Sequence, residues 1–300
     1  MAGFFGFFDY TKPGKGVSKE DVDKKGLSLY FDIFFRRFWK IVTLNLIYIL
    51  FSVPAIVIAW FMSTYAVSWL AAIAGLDLTQ EMVNGLSLLS AFVTVIFLLL
   101  TGSGPASAGM TYVLRKYVND THSWVWSDFI DNFKSNFRQG ILVYVINVLV
   151  SVLCTVSIVF YSYAMKGVMA VALRTIMLLF AAMFVMCQMY TYQLMVSFEL
   201  KLKDIYKNSF ILLMARLPWN ILTAAVTVLL IYAVSSISMS VPIAGIAIIA
   251  TLFYTVINFT QIFMTNNIIK KYVLEPATAA QTVEAEEKTD IEQETQNIGG

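Results

Sequence analysis

Apolar residues in this chain fall in long uninterrupted runs, not in the alternating or short amphipathic patterns of soluble folds. Six runs stand out: Ile41–Met62, Ser87–Val113, Gly140–Tyr163, Val171–Phe198, Trp219–Met239 and Ile243–Asn267. About 20 apolar residues are needed to carry a helix across a bilayer. Between Trp219 and Asn267 there is no Asp, Glu, Lys, Arg or His, so that stretch reads as two spans joined by a short turn. Inside a bilayer no water is available to the backbone, so N–H and C=O groups have to pair within each run, which makes each run a helix. The pattern predicts an all-α integral membrane bundle of about six transmembrane helices.

The polar segments between the runs are themselves patterned. Spans one, three and five each follow a basic, aromatic segment that opens near an Asp: Asp32–Lys40, Asp128–Arg138 and Asp204–Trp219. Spans two and six close alike, on Tyr112–Val118 and Asn267–Val273. Three copies of one unit, an interfacial helix followed by a helical hairpin, would produce this likeness. So would the basic and aromatic flanks common to membrane interfaces. The organisation expected is an N-terminal segment with an interfacial helix (1–40) and a six-span domain (41–275). That domain would carry amphipathic helices near 125–139 and 202–216, and a disordered acidic tail (276–300) would follow it.

Composition agrees and adds orientation. Of 300 residues, 59% are hydrophobic and 13% charged, against about 25% charged in soluble domains. The net charge of +2 says little, but its distribution says more. Nineteen of the 21 Lys and Arg residues fall before span one, in the loops after spans two and four, or after span six; only Lys166 and Arg174 fall on the other side. The positive-inside bias then places both termini and the two long loops in the cytoplasm of a cell-membrane protein. Met1–Tyr10 is aromatic and lacks a basic leader region, so span one is expected to be retained. Nothing in the charge pattern points to nucleic acid.

Chemistry has few footholds. His122 is the single histidine and sits in a hydrophilic loop; Cys154 and Cys187 lie in apolar runs. No catalytic residue, metal site or cofactor site is expected, and the chain does not read as an enzyme. The spans hold essentially no ionisable groups, which argues against an ion-driven pump. Uncharged polar residues remain: Asn45, Asn147, Gln188, Gln193, Asn258 and Gln261. They fit either hydrogen bonds between helices or the lining of a path for a neutral polyol.

Two segments invite a functional reading. Span two contains Thr101-Gly102-Ser103-Gly104-Pro105-Ala106-Ser107-Ala108-Gly109. Pro105 removes a backbone donor and can kink a helix, and small residues allow close approach. Gly102, Gly104, Pro105 and Gly109 are therefore expected to mark a hinge or a tight helix crossing. After span two, Phe129, Phe133 and Phe137 recur every fourth residue and share a helix face with Trp126 and Ile130. Ser127 is the expected cap, with Asp128 in the first turn. Trp126, Phe129, Phe133, Phe137 and Arg138 suit a docking surface for a partner, or equally a helix lying flat among lipid headgroups. Near the N-terminus, Lys12–Val17 is a weak candidate to cradle an anion such as a lipid headgroup, beside an aromatic anchor at Phe4–Phe8.

These motifs resemble a known family. Gly104-Pro105-Ala106-Ser107-Ala108-Gly109-Met110, Arg115-Lys116, Trp126-Ser127-Asp128-Phe129 and Phe133–Gly140 look like the signature of the YesL-like family, also catalogued as domain of unknown function 624. Asp9-Tyr10, Lys12–Val17 and Phe38-Trp39-Lys40 with Asn45-Leu46 are similar to members from Gram-positive bacteria. The resemblance covers roughly residues 1–275. Members are often encoded beside carbohydrate uptake systems of the ATP-binding-cassette (ABC) type. It therefore implies an accessory membrane subunit for sugar import, whose partners would be permease or ATPase subunits of an ABC transporter. No catalytic or binding residues come with it. A stand-alone permease or channel for a neutral solute, and a structural or sensory membrane protein, are the other readings. The oligomeric state does not follow from any of these features.

Overall fold

A computed structural model describes residues 26–73, 79–163 and 165–274. The Lys12–Val17 loop, the Phe4–Phe8 anchor and the acidic tail lie outside the described residues. The described chain is helical: α1 Leu27–Arg36, α2 Phe38–Ile73, α3 Gln80–Thr101, α4 Pro105–Val118, α5 Val125–Ser135, α6 Phe137–Tyr163 and α7 Gly167–Met195. Then come α8 Leu202–Ala215, α9 Leu217–Ser240, α10 Pro242–Ile248, a π-turn at Ile249–Phe253, α11 Tyr254–Ile269 and a second π-turn at Lys270–Leu274. Six segments are long and apolar enough to cross a membrane. The all-α membrane bundle expected from the sequence is borne out.

The chain divides at Phe38–Trp39 into two compact units. In the first, α1 carries an aromatic ladder in which Tyr30 stacks on Phe34 and Phe31 on Phe35. Asp32 and Arg36 pair one turn apart at 3.9 Å.

The element order recurs three times. Each of α1, α5 and α8 is joined to the span behind it by a single residue, Arg37, Asn136 or Arg216. These junctions have φ/ψ of −112/14°, −96/12° and −136/42°. A ψ near or above zero ends one helix, and the next begins at once. In each copy a second span then returns.

Span one continues past Met62, as α2 runs on to Ile73 with Pro54 inside it. At about 1.5 Å per residue its 36 residues reach about 54 Å, longer than the ~30 Å hydrocarbon core. Span two is not one helix kinked at Pro105. It is two helices, α3 and α4, separated by Gly102-Ser103-Gly104, and Pro105 opens α4 where its missing N–H costs nothing.

The second unit packs as a membrane bundle would. Leu46, Leu50, Val53, Val57 and Phe61 of α2 face outward. Small and polar residues fill the interior, where Ser151 of α6 bonds Thr94 of α3 at 3.1 Å and Ser52 bonds Ser103 at 2.7 Å. Lipid tails are as apolar as Leu, so burying Leu gains little there, and helices associate through close packing and hydrogen bonds. Helix α4 is central, packing on α5, α6, α7 and α11.

Candidate functional site: a helix break and its polar network

The break between α3 and α4 is built from residues that tolerate it. Gly102 and Gly104 have φ of 93° and 82°, a region that favours glycine. Space also requires them. A Cβ on Gly102 would sit 2.5 Å from the Tyr192 ring, and one on Gly104 2.9 Å from the Gly140 carbonyl oxygen. Gly140 in turn lies against the Pro105 backbone, where an added Cβ would come within 2.8 Å. Gly109 faces Phe129, whose carbonyl would meet its Cβ at 2.7 Å. Gly104 and Gly140 thus mark a close crossing of α4 on α6 and Gly109 one of α4 on α5, while Gly102 makes room for Tyr192 of α7.

A break inside a bilayer leaves backbone groups without helical partners, and each is costly unless satisfied. Side chains from other spans meet that need here. Asn147 Nδ2 of α6 donates to the carbonyls of Thr101 (3.1 Å) and Gly102 (3.2 Å). The Gly104 N–H donates to Tyr192 Oη of α7 at 3.1 Å, and the Ser103 N–H to Ser107 Oγ at 2.9 Å. Gln188 Nε2 of α7 donates to Asn147 Oδ1 at 2.9 Å and to Tyr206 Oη at 3.3 Å. Asn45 of α2 does the same work at the π-turn in span six. Its Nδ2 donates to the Ile249 and Ala250 carbonyls, and its Oδ1 accepts from the Thr255 N–H at 3.0 Å. A third asparagine, Asn220 of α9, donates to the Leu212 and Leu213 carbonyls at the end of α8 and accepts from Tyr190 Oη.

The six polar residues singled out in the sequence are therefore placed as follows. Asn45, Asn147 and Gln188 satisfy broken backbone or one another. Gln193 Nε2 donates to Met189 O and to Thr265 Oγ1, Asn258 Nδ2 to Tyr254 O, and Gln261 Nε2 to Thr227 Oγ1. Gln188, Gln193, Asn258 and Gln261 border a cavity of only about 20 Å³ beside the break, room for about one water molecule. Asn45 and Asn147 do not border that cavity, and its volume admits no sugar.

The α5 helix is also corrected. Its N-cap is Trp124, without a side-chain cap, and Ser127 instead bonds Asp131. Asp128 organises the turn. Its carboxylate accepts from Ser123 Oγ at 2.6 Å, the Trp124 N–H at 3.0 Å and Lys116 Nζ at 3.0 Å. Burial alone would raise the Asp128 pKa, but these donors outweigh it and hold the carboxyl below its ordinary range. Phe129 is 0% exposed, pressed against Gly109 and, with Phe133 and Trp126, around Phe51 of α2. Phe129 is core and half-buried Phe133 packs inward, so neither offers a docking face. Trp126, at 58% exposure, Phe137 and Arg138 do reach the surface. Beside them a cleft of about 870 Å³ separates the α5–α6 junction from the α7–α8 loop, with Lys134, Arg138, Lys201 and Glu199 on its walls.

Several participants were not legible as site residues. Tyr48, whose hydroxyl accepts from Ser103 Oγ at 3.2 Å, and Ser52, Tyr192 and Asn220 looked like ordinary span residues. Arg115 looked like a loop cation, yet its guanidinium bonds the Gln193 main-chain oxygen at 2.9 Å. Among the described residues no group of three His, Cys, Asp or Glu could hold a metal, and both cysteines are buried and free.

Residues 83–158 match a family model described as "Protein of unknown function, DUF624". The segment contains the α3–α4 break, all of α5 and Asn147, and over it the resemblance read from Gly104–Met110 and Trp126–Gly140 is borne out. No curated protein and no solved structure matches the chain.

Proposed function

We propose that this multi-pass membrane protein is a non-enzymatic accessory subunit of a carbohydrate uptake system of the ABC class, with both termini and the basic loops in the cytoplasm of a cell membrane. One observation carries the choice over a stand-alone permease: the polar side chains of the bundle are engaged with helix breaks and with one another. A permease for a neutral polyol needs those groups facing a solute-sized passage. What the bundle offers instead is surface on the side bearing α5 and the α7–α8 loop. The cleft lined by Lys134, Arg138 and Lys201, with the exposed Trp126 and Phe137 nearby, combines cationic and aromatic groups of the kind enriched at protein interfaces. The association of YesL-like members with sugar importers gives the class of partner, a permease or ATPase subunit.

Co-purification from native membranes tests this. The expected result is recovery of an ABC permease or ATPase with the tagged chain, reduced by Arg138→Glu with Lys201→Glu while the variant remains folded. Normal carbohydrate uptake in a deletion strain, with no importer subunit recovered, would reject it.

A further inference from the structure

The small cavity beside the helix break has a chemistry that subunit docking does not use. Four amide side chains line it: Gln188, Gln193, Asn258 and Gln261. Their orientations are locked by the groups behind them, because a main-chain carbonyl can only accept. Gln193 Nε2 donates to Met189 O, and Asn258 Nδ2 to Tyr254 O. Asn147 has to offer its NH₂ to the Thr101 and Gly102 carbonyls, so its Oδ1 is what Gln188 Nε2 meets. Thr227 Oγ1 donates to Thr223 O, so it accepts from Gln261 Nε2. Each NH₂ group is thus engaged, those of Gln188 and Gln193 with two acceptors each, and it is the oxygens of these two residues that remain. Gln188 Oε1 and Gln193 Oε1 are buried without a hydrogen-bond partner, on residues only 4% and 1% exposed.

The broken helix adds to this excess of acceptors. Leu99 and Leu100 also border the cavity. The N–H groups that would continue the helix onto their carbonyls, those of Ser103 and Gly104, turn instead to Ser107 and Tyr192. The cavity therefore adjoins the C-terminal, partially negative end of α3. Arg115 is not among the lining residues.

We propose that this cavity binds one dehydrated alkali-metal cation of sodium size, held by the neutral oxygens Gln188 Oε1 and Gln193 Oε1 together with the Leu99 and Leu100 carbonyls that the break leaves without helical donors. A water molecule donates only two hydrogens and brings lone pairs of its own to a place already rich in acceptors. A cation attracts every oxygen around it. Hard cations take oxygen ligands, and neutral carbonyl oxygens replace the hydration shell of alkali ions in channels. Unwound backbone and half-helix C-terminal ends serve the same purpose in membrane transporters. The absence of a carboxylate favours a single charge over a divalent ion. The volume, about 20 Å³, admits one water-sized occupant. Bound there, the ion ties α3 and α7 together at the break.

The test uses the full-length protein in lipid nanodiscs, in sodium, potassium or N-methylglucamine chloride at equal ionic strength. Sodium should raise the melting temperature saturably and potassium should do so at least ten-fold less effectively, with about one ²²Na⁺ bound per chain. Gln193→Leu should weaken binding at least ten-fold. Gln261→Glu, on the cavity wall opposite a Thr227 hydroxyl that can turn to donate to a carboxylate, adds a charge and should fold and bind sodium more tightly, so the inference stays testable if the leucine variant fails to fold. Equal melting in all three salts with no bound ²²Na⁺ overturns it and leaves a single trapped water. An equal response to sodium and potassium also overturns it. None of these readouts depends on a partner subunit.

Discussion

The crossing of α4 on α6 can be tested with three glycines. In Gly104→Ala, the new Cβ would meet the Gly140 oxygen and Tyr144 Cβ, each at 2.9 Å, on a backbone with φ of 82°. Sparsely populated backbone costs about 1–3 kcal/mol in a residue with a side chain, and overpacking adds about 1–3 kcal/mol. The expected destabilisation is about 2–6 kcal/mol. Gly140→Ala meets Pro105 N at 2.8 Å and Pro105 Cα at 2.9 Å, but its backbone is helical. It carries only the overpacking cost, partly offset by the ~1 kcal/mol that alanine gains over glycine in a helix. Gly85→Ala has nothing within 4 Å and should be neutral or slightly stabilising. Reversible denaturation in mixed micelles, followed by tryptophan fluorescence, gives the three values. The order Gly104→Ala worst, Gly140→Ala intermediate and Gly85→Ala harmless is required. Equal stability of all three would refute the close crossing.

Other consequences follow from the same geometry. Asn147→Leu removes the donors to the Thr101 and Gly102 carbonyls; at about 1–3 kcal/mol for each orphaned group, it should lower stability by several kcal/mol in the same denaturation assay. Phe129→Ala should destabilise the fold by about 3–5 kcal/mol, as core aromatics do, whereas Trp126→Ala should stay within about 0.5 kcal/mol; the reverse order would make α5 a surface helix. The Asp128 carboxyl is held below its ordinary range in the folded protein, so the anion's contribution is complete above the unfolded-state pKa and is lost as pH falls through the depressed folded value. Proteolysis of the 119–124 loop should accelerate over that acidic window in the wild type and be faster and nearly independent of pH there in Asp128→Asn.

How much was legible depends on what each signal measures. Span number followed from runs of apolar residues, because the bilayer forbids unpaired backbone and leaves only helices at that length. The recurring element order was visible in Asp32–Lys40, Asp128–Arg138 and Asp204–Trp219, since flanking polarity marks where a helix leaves the membrane. Phe129 was misread for a definite reason. A four-residue periodicity says that Phe129, Phe133 and Phe137 share a face, but not whether that face meets lipid, a partner or Phe51. Ser127 was misread as a cap because α5 begins one turn of chain chemistry earlier, where Asp128 gathers Ser123 and the Trp124 N–H.

Gly102, Gly104 and Pro105 were conspicuous from the start, and the sequence marked them as a hinge or a tight helix crossing in span two. Whether that meant a kink, a hinge or a complete break was a tertiary matter. Proline removes one donor and glycine permits positive φ, but both also occur in gently bent helices. The break persists because Asn147, Tyr192 and Ser107 satisfy the groups it exposes, and two of those three come from other spans. The sequence by itself thus determined that this chain has about six membrane-spanning runs, with 19 of its 21 Lys and Arg residues in alternate connecting segments and the terminal ones. Only the tertiary structure decided what its buried amides face, because hydrogen-bond partners distant in sequence leave no periodic trace along the chain.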